Sequence, residues 1–412
     1  MLKRVFSEVA SFSRAEKLFV LFAMASIFLI SAEYGITRPA SNSLFLSLFS
    51  SQALPWVWLT TLPMNLALVG FYNRFLGRVG PLKMWVFISF LIVSINSATA
   101  LLLPSFPWLI FLQFAWKDIY ILLMFKQIWS LIHSTIESSR AKYLYGTIFG
   151  MGTLGSTLGG LVPGFLATQM GSEQLFFCTL PLYGALFLFY RKAYQNSPVT
   201  PKEFGGSKEP LSTLFKSPYL ISVLLLVVFM QVSVGLMEFQ FNSYLEQHIL
   251  DKDLRTEYMG RLLSTMNLLS GGLQFFGSFL MVQTLGIRGS HLAVPFLLLV
   301  NVLGMLAFPS FAVLTAAFVF LKAVDFSLFG VIREMLYIPM QLDQKFRAKA
   351  VIDVFAYRTA KALVGLSVFG LQLFATSHLH SWVSSAMVAV LVFWLGVVWL
   401  MLKKIDPKKV LS

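Results

Sequence analysis

The chain has 412 residues, of which 57% are hydrophobic and 12% are charged. This composition excludes a water-soluble fold, because apolar segments that span about 30 Å of hydrocarbon satisfy their backbone groups as helices. The net charge of +14 does not indicate nucleic-acid binding, since the lysines and arginines lie in many short loops beside apolar segments. We therefore predict an all-α integral membrane protein.

Twelve apolar segments are long enough to span a membrane. They are residues 15–38, 53–76, 82–104, 107–136, 141–170, 173–191, 217–247, 257–285, 290–308, 310–338, 346–376 and 381–402. The first segment is long enough to span and is followed by no small-residue cleavage site, so we expect it to be retained as a helix. Because twelve is an even number, we expect both termini on the same side of the membrane.

Lysine and arginine residues are concentrated at the two termini and in alternate connections. The basic connections are residues 74–83, 140–142, 191–216 and 345–349. The other connections carry almost no lysine or arginine. The positive-inside rule therefore predicts that both termini of this multi-pass protein are cytoplasmic. We expect the membrane to be the inner membrane of a bacterium.

The only long polar stretch inside the chain lies near its midpoint and is rich in proline, glycine, serine and lysine. We predict an N-terminal six-helix bundle at 1–191, a cytoplasmic linker at 192–216 and a C-terminal six-helix bundle at 217–412. An internal repeat supports this division, because two pairs of intramembrane residues share an offset of 205 positions: Glu33 with Glu238, and Lys117 with Lys322. Two six-helix bundles related in this way are typical of major-facilitator transporters, which bind their solute near the membrane midplane.

Charged residues inside the spans carry most of the functional information, because an ionised group at the bilayer centre costs several kcal/mol unless it faces a partner or a wet cavity. They are Glu33, Arg38, Lys117, Asp118, Lys126, Glu238, Lys322, Asp325, Asp353, Arg358 and Lys361. Structural ion pairs and side chains that reach the interface are the alternative for each single residue. A purely structural bundle does not need so many charges, so the set indicates a solute pathway.

Local spacing separates some of these charges. Arg358 and Lys361 are three positions apart and share a helical face, where two cations call for an anion or for opposing carboxylates. Lys322 and Asp325 have the same spacing but opposite charges, which makes them the better candidates for a structural pair. Arg38 precedes Pro39, and we expect this proline to break or kink the first helix beside the charge.

Three glycines, Gly150, Gly152 and Gly155, have the spacing of a dinucleotide-binding turn, but they lie inside a spanning helix and lack the preceding strand. We interpret them as packing residues. Glycines four positions apart, which let helices approach closely, are Gly146 with Gly150, Gly155 with Gly159, and Gly160 with Gly164.

No metal site, cofactor or catalytic set is predicted. His378 and His380 lack cysteine or carboxylate neighbours in the sequence, and the lone Cys178 forms no internal disulfide. Trp116 and Tyr120, beside Lys117, favour core packing over base stacking.

The segment REMLYIPMQLDQKFRAKAVIDVFAYRTAK, residues 333–361, resembles the bacterial and plastidic ATP/ADP translocases. The family has a basic residue, Glu and Met at its start, an Ile-Pro step, and Lys-Ala-x-Ile-Asp followed eight residues after the Asp by a substrate-linked lysine. Lys361 occupies that lysine's position, and Asp353 is the aspartate. The resemblance also extends to Arg38 and Glu238. It implies a nucleotide carrier.

Four positions depart from the family pattern. Ser41 stands where the family has a lysine, and Lys117 stands where it has a functional glutamate. Asp325 replaces a lysine, and Glu33 replaces an asparagine. Lost cations weaken the case for a highly charged nucleotide, because each phosphate prefers a charge-assisted partner. Gained carboxylates favour proton coupling.

Together these observations predict a transporter, not an enzyme, for a nucleotide or a related phosphorylated or anionic metabolite. The candidate substrate-binding residues are Arg38, Ser41, Lys117, Glu238, Asn242, Arg358 and Lys361, and the candidates for proton coupling or gating are Glu33, Glu238, Asp325 and Asp353. The alternatives are a proton-coupled symporter or exporter of another small organic solute, such as a nucleoside or amino acid, and a membrane-embedded enzyme or scaffold. We expect a monomer in the lipid bilayer.

Overall fold

The computed structural model describes residues 12–136, 138–197, 218–336, 342–374 and 378–404. Their secondary structure is helical. The α-helices are α1 (Arg14–Phe49), α2 (Leu54–Val79), α3 (Pro81–Leu102), α4 (Leu109–Thr135), α5 (Ser138–Met170), α6 (Leu180–Gln195), α7 (Pro218–His248), α8 (Lys252–Gly272), α9 (Ser278–Ala307), α10 (Phe311–Val324), α11 (Gly330–Leu336), α12 (Leu342–Phe374) and α13 (Leu379–Lys404). Two 3-10 turns (Ser51–Ala53 and Gln174–Thr179) and two π-turns (Leu273–Gly277 and Asp325–Phe329) lie between them.

Seven helical segments of the described chain are long and apolar enough to cross a membrane. Large apolar side chains such as Phe90, Phe275 and Phe393 are exposed, which is typical of a surface that faces lipid. The predicted all-α membrane fold is therefore confirmed. The count of twelve spans stays a prediction, because α6 has only 16 residues and α4 carries three charges within its length.

Helix α1 differs from its predicted end. It continues through Pro39 to Phe49, so the expectation of a break at Pro39 is wrong, while a kink there stays a prediction. Proline removes a single helical hydrogen bond, and membrane helices tolerate this loss because neighbouring groups satisfy the freed carbonyl.

The described chain divides into two compact units. Unit 1 comprises residues up to Phe49, Pro63–Ser207 and Ile249–Asn267, and unit 2 comprises Ser50–Leu62, Lys208–His248 and residues from Leu268 onward. The proposed bundle division at 192–216 stays a prediction, and most of that linker lies outside the described residues.

Unit 1 is built around α1, which packs against α4, α5 and α6. Trp85 of α3 and Tyr190 of α6 stack with their ring centroids 3.8 Å apart in its core. The contact between α1 and α5 depends on glycine: a side chain at Gly155 or Gly159 would overlap the backbone of Phe28 or Ala32. The α5 backbone therefore lies directly on α1, as the packing interpretation predicted.

Of the other two predicted glycine pairs, one lies at a close helix contact and one does not. Gly160 and Gly164 lie against the first half of α8, where Gly260 approaches both of them. Gly146 and Gly150 have open space where a side chain would be, so their predicted role in close packing is wrong. A four-residue spacing places two glycines on one face of a helix but does not place another helix against that face.

Unit 2 is built around α7, which packs against α10, α12 and α13. Phe241 of α7 and Phe318 of α10 stack in parallel, with their ring centroids 4.2 Å apart. Helix α9 is interrupted at Gly286, whose φ of 65° lies in the left-handed region that favours glycine. This packing of α7 on α10 brings Glu238 and Lys322 together.

Candidate functional site

Glu33 lies in the interior of unit 1 with only 2% of its surface exposed. Its Oε1 atom accepts hydrogen bonds from the hydroxyl groups of Thr37 and Tyr120, each at 2.8 Å, and from the Asn96 side-chain amide at 3.5 Å. The Tyr183 hydroxyl group also hydrogen-bonds this carboxyl group. All four partners are neutral, so they orient the carboxyl group without fixing its charge.

Further buried side chains hold these partners in place. The Asn96 amide also donates to the Thr179 hydroxyl at 3.1 Å, and the Gln113 amide donates to the Asn96 carbonyl at 2.8 Å. The network joins α1, α3, α4 and the 3-10 turn before α6. Because such networks reinforce each other in a low-dielectric interior, Glu33 is held in one defined position.

Lys117 is a buried cation of α4, 2% exposed. Its Nζ atom donates to the Phe114 carbonyl at 3.1 Å, lies 3.2 Å from the centroid of the Phe114 ring and is 3.8 Å from an oxygen of Asp118. The Tyr34 hydroxyl of α1 donates to the same Asp118 oxygen at 3.1 Å, and the Arg38 guanidinium lies 5.9 Å from the centroid of the Tyr34 ring. The structure thus places Arg38, Lys117 and Asp118 around Tyr34.

Ser41 follows on α1 and is fully buried. Within the described part of the chain, its hydroxyl group has no hydrogen-bond partner, and neither does the Oδ1 atom of its neighbour Asn42. A buried polar atom without a partner is costly, which fits a position where a solute group or water binds.

Unit 2 contains an ion pair between two helices. The Nζ atom of Lys322 on α10 lies 3.2 Å from Oε2 of Glu238 on α7, and their side chains are 6% and 16% exposed. The local pairing expected for Lys322 with Asp325 is therefore corrected. Asp325 instead accepts a hydrogen bond from the Gln231 amide at 3.0 Å, although it remains within electrostatic reach of Lys322.

The other predicted residues of unit 2 lie on α7 and α12. Asn242 is buried one turn after Glu238 and donates to its carbonyl at 2.8 Å, while its own Oδ1 atom has no hydrogen-bond partner among the described residues. Lys361 lies half-buried on α12. Arg358 and Asp353 belong to the same helix, but their side chains lie outside the described residues.

A polar cluster in unit 1 was not predicted. Asp253, at the start of α8, accepts hydrogen bonds from the backbone and the hydroxyl group of Ser172, at 2.7 and 2.6 Å. Lys252 bonds Glu173 at 2.7 Å, and the Ser43 hydroxyl of α1 donates to the Lys252 carbonyl at 2.5 Å. This Ser172 cluster, comprising Ser43, Ser172, Glu173, Lys252 and Asp253, joins the end of α1 and the turn after α5 to the start of α8.

Sequence reasoning identified the buried charges but missed most of their partners. Tyr120 was interpreted as packing, and its hydroxyl group proves to bond Glu33. Asn96, Gln113 and Gln231 were not singled out. Their signal in the sequence is an amide side chain within an apolar span, because a buried amide also needs hydrogen-bond partners.

Comparison with known proteins bears on function. Residues 188–405 match the model of a protein family described as TLC ATP/ADP transporter. The chain is 23% identical over 371 residues to ADP,ATP carrier protein 1 of Chlamydia muridarum, which covers 78% of this chain and 66% of that protein. It is 23% identical over 313 residues to ADP,ATP carrier protein 1 of Rickettsia bellii, which covers 63% of this chain and 62% of that protein. The chain thus spans slightly less than two thirds of the length of these relatives.

Solved structures of several transporters share the fold of this chain. A crystal structure of a variant of the nucleoside transporter NupG aligns with a TM-score of 0.68 at 12% identity, over 93% of this chain and 99% of that chain. A bacterial homologue of the iron transporter ferroportin, in an inward-facing state, aligns with a TM-score of 0.70 at 12% identity, over 95% and 99% of the two chains. A D-xylose-proton symporter gives a TM-score of 0.68 at 13% identity, over 92% and 96%. The fold is of the major-facilitator type, as predicted.

Proposed function

Because the chain belongs to the TLC ATP/ADP transporter family, we propose that it is a secondary active transporter of a nucleotide or a related phosphorylated, anionic metabolite. Membership confirms the resemblance that residues 333–361 predicted. The relatives are named as carriers of ADP and ATP, which supports a nucleotide as the solute. The proposed mechanism is alternating access, which the major-facilitator fold supports.

The observation that carries this proposal is the presence of a buried lysine in each unit. Lys117 and Lys322 are 2% and 5% exposed, and both lie in helices inside the apolar part of the chain. Burying an ammonium group in hydrocarbon is costly, so such residues mark solute pathways. A phosphorylated solute supplies the negative charge that these cations attract.

Uptake into proteoliposomes tests the proposal. We expect labelled ATP or ADP to enter vesicles that hold the purified protein, at a rate that preloaded unlabelled nucleotide changes. Lys361→Ala should lower uptake at least tenfold, because losing one charge-assisted bond to a phosphate costs about 1.5–3 kcal/mol. Lys83→Ala, which removes an exposed lysine at the start of α3, is the matched control and should transport normally.

One result would contradict the proposed transport, and another would contradict the role of Lys361. If no nucleotide or phosphorylated metabolite enters, the proposal fails, and the alternatives are a transporter of another small organic solute, a membrane-embedded enzyme or a scaffold. Wild-type uptake by Lys361→Ala would leave that lysine with a structural role only.

We propose further that the protein lies in a bacterial inner membrane as a monomer, with both termini and residues 192–216 in the cytoplasm. The distribution of lysine and arginine among the loops supports this orientation. A cysteine introduced at Lys202 should then resist an impermeant thiol reagent added to intact cells, and labelling there would reverse the topology.

A proton-coupled transporter of another small organic solute is the second candidate, and the neutral surroundings of Glu33 favour it. Among the described residues, the groups that hydrogen-bond the Glu33 carboxyl group are neutral hydroxyl and amide groups, so they leave it able to gain and lose a proton during transport. An obligatory exchanger needs no such group.

Glu33→Gln tests this coupling. We expect it to abolish the dependence of solute accumulation on an imposed pH gradient while exchange of internal for external solute continues. The glutamine oxygen accepts the same hydrogen bonds, but the amide neither binds nor releases a proton. Glu16→Gln is the matched control, since Glu16 accepts a bond from the Ser13 backbone at the exposed start of α1 and glutamine does the same. Wild-type accumulation that is indifferent to collapse of the pH gradient would rule out coupling.

A further inference from the structure

The ion pair between Lys322 and Glu238 points to an anion-binding group that the sequence assigned to structure. We propose that Lys322 binds the anionic group of the solute in unit 2, and that the Glu238 carboxylate occupies this place when no solute is bound. The inference rests on the proposed function and names one of its binding residues.

Geometry gives the two partners different freedom. The Lys322 side chain is 6% exposed, whereas that of Glu238 is 16% exposed. The carboxylate is therefore the less enclosed partner of the pair. A phosphate oxygen has the charge and the hydrogen-bonding capacity of a carboxylate oxygen, so it can take the same place at a distance near 3 Å.

The energetics of buried ion pairs favour exchange over a purely structural role. Removing two charges from water costs about as much as their attraction returns, and apolar replacements of such pairs are often as stable. A buried pair is thus weak support for a fold. The carboxylate of such a pair does keep the buried lysine charged and in position until another anion binds.

Charge balance around the pair is kept when the solute replaces Glu238. Asp325 lies within electrostatic reach of both Lys322 and Arg333, and its carboxylate is oriented by the Gln231 amide. Arg333 also pairs with Glu334 at 3.8 Å, so two cations and three carboxylates lie in this part of unit 2. One negatively charged oxygen of the solute that takes the place of the Glu238 carboxylate keeps an anion beside Lys322.

The equivalent positions of unit 1 are arranged differently. At the shared offset of 205 positions, Glu33 corresponds to Glu238 and Lys117 to Lys322. Glu33 is bonded to neutral groups, and Lys117 lies beside Asp118 on its own helix. The exchangeable pair is therefore assigned to α7 and α10 of unit 2, and not to α1 and α4 of unit 1.

Binding of ATP, ADP and inorganic phosphate to the purified full chain tests the assignment. We expect Lys322→Gln to raise the Kd of the anion that the wild type binds at least tenfold, because a charge-assisted bond is lost. Glu238→Gln should lower that Kd several-fold, because a competing carboxylate is removed. The double variant should bind as weakly as Lys322→Gln. Glu257→Gln, which breaks the Glu257–Arg261 pair on α8, is the control and should not change the Kd.

Thermal unfolding separates this role from a structural one. If the pair only stabilises the fold, each single variant melts lower, the double variant recovers, and all three bind anions as the wild type does; that result overturns the assignment. Should the single variants fail to fold, the reversed pair Lys322→Glu with Glu238→Lys retains the attraction, and it is expected to lose binding. If the wild type binds none of the three anions, the proposed function itself fails, and this assignment with it.

Discussion

Gly159→Ala is expected to destabilise unit 1 severely. A Cβ atom at Gly159 would overlap the backbone oxygen of Ala32 and lie 2.7 Å from its Cα atom, so α5 and α1 would have to separate. Backbone atoms cannot rotate away as a side chain can. Overpacking of this kind costs about 3 kcal/mol or more, which for a unit of this size lowers the unfolding midpoint by roughly 10 °C.

Gly150→Ala is the matched control for this prediction. Gly150 lies on the same helix, and nothing lies within 4 Å of the atom that alanine would add. Alanine favours the helix over glycine by up to about 1 kcal/mol, so the unfolding midpoint should stay or rise. Thermal unfolding in detergent, followed by the loss of monodisperse protein, compares the two. Equal midpoints for Gly159→Ala and the wild type would show that the close approach of α1 and α5 is not required.

Locking the Ser172 cluster is expected to stop transport completely. Its residues join α1 and α5, from the first half of the sequence, to α8, from the second half, and the Ser172 and Thr256 hydroxyl groups are 2.7 Å apart. The proposed alternating access requires such contacts to open on each cycle. With Cys178 replaced by alanine, cysteines at Ser172 and Thr256 should form a disulfide on mild oxidation. Uptake should then cease and return after reduction with dithiothreitol.

The two single-cysteine variants, oxidised in the same way, are the controls and should transport throughout. A gel shift with a thiol-reactive polymer measures the extent of cross-linking. Cross-linked protein that transports at the rate of the reduced protein would mean that the cluster remains closed during the cycle. The cluster would then be a fixed part of unit 1.

The sequence predicts the class of fold and the buried charges well, because both follow from the cost of placing polar groups in hydrocarbon. Length and apolar composition alone indicate membrane helices. A charge such as Glu33 or Lys117 inside such a helix is visible without any knowledge of its neighbours.

The partners of these charges are harder to predict, because they depend on which helices cross. Lys322 and Asp325 are three positions apart, and local spacing favoured their pairing. The packing of α7 on α10 instead brings Glu238, 84 positions away along the chain, to Lys322. The π-turn at Asp325–Phe329 also changes the helical register after Lys322, and the residue pattern did not predict this turn.

The hydrogen bonds of Glu33 also set an order of events during synthesis. Thr37 is synthesised four residues after Glu33, whereas Tyr120, whose hydroxyl group bonds the same carboxyl group, is synthesised 87 residues after it. At about 5–20 residues per second, Glu33 waits roughly 4 to 17 seconds for it. During that interval the carboxyl group lacks its later partners, and an ionised group in hydrocarbon is costly. Helix α1 therefore depends on α3 and α4, which are synthesised after it, for hydrogen bonds that offset the burial of the Glu33 carboxyl group.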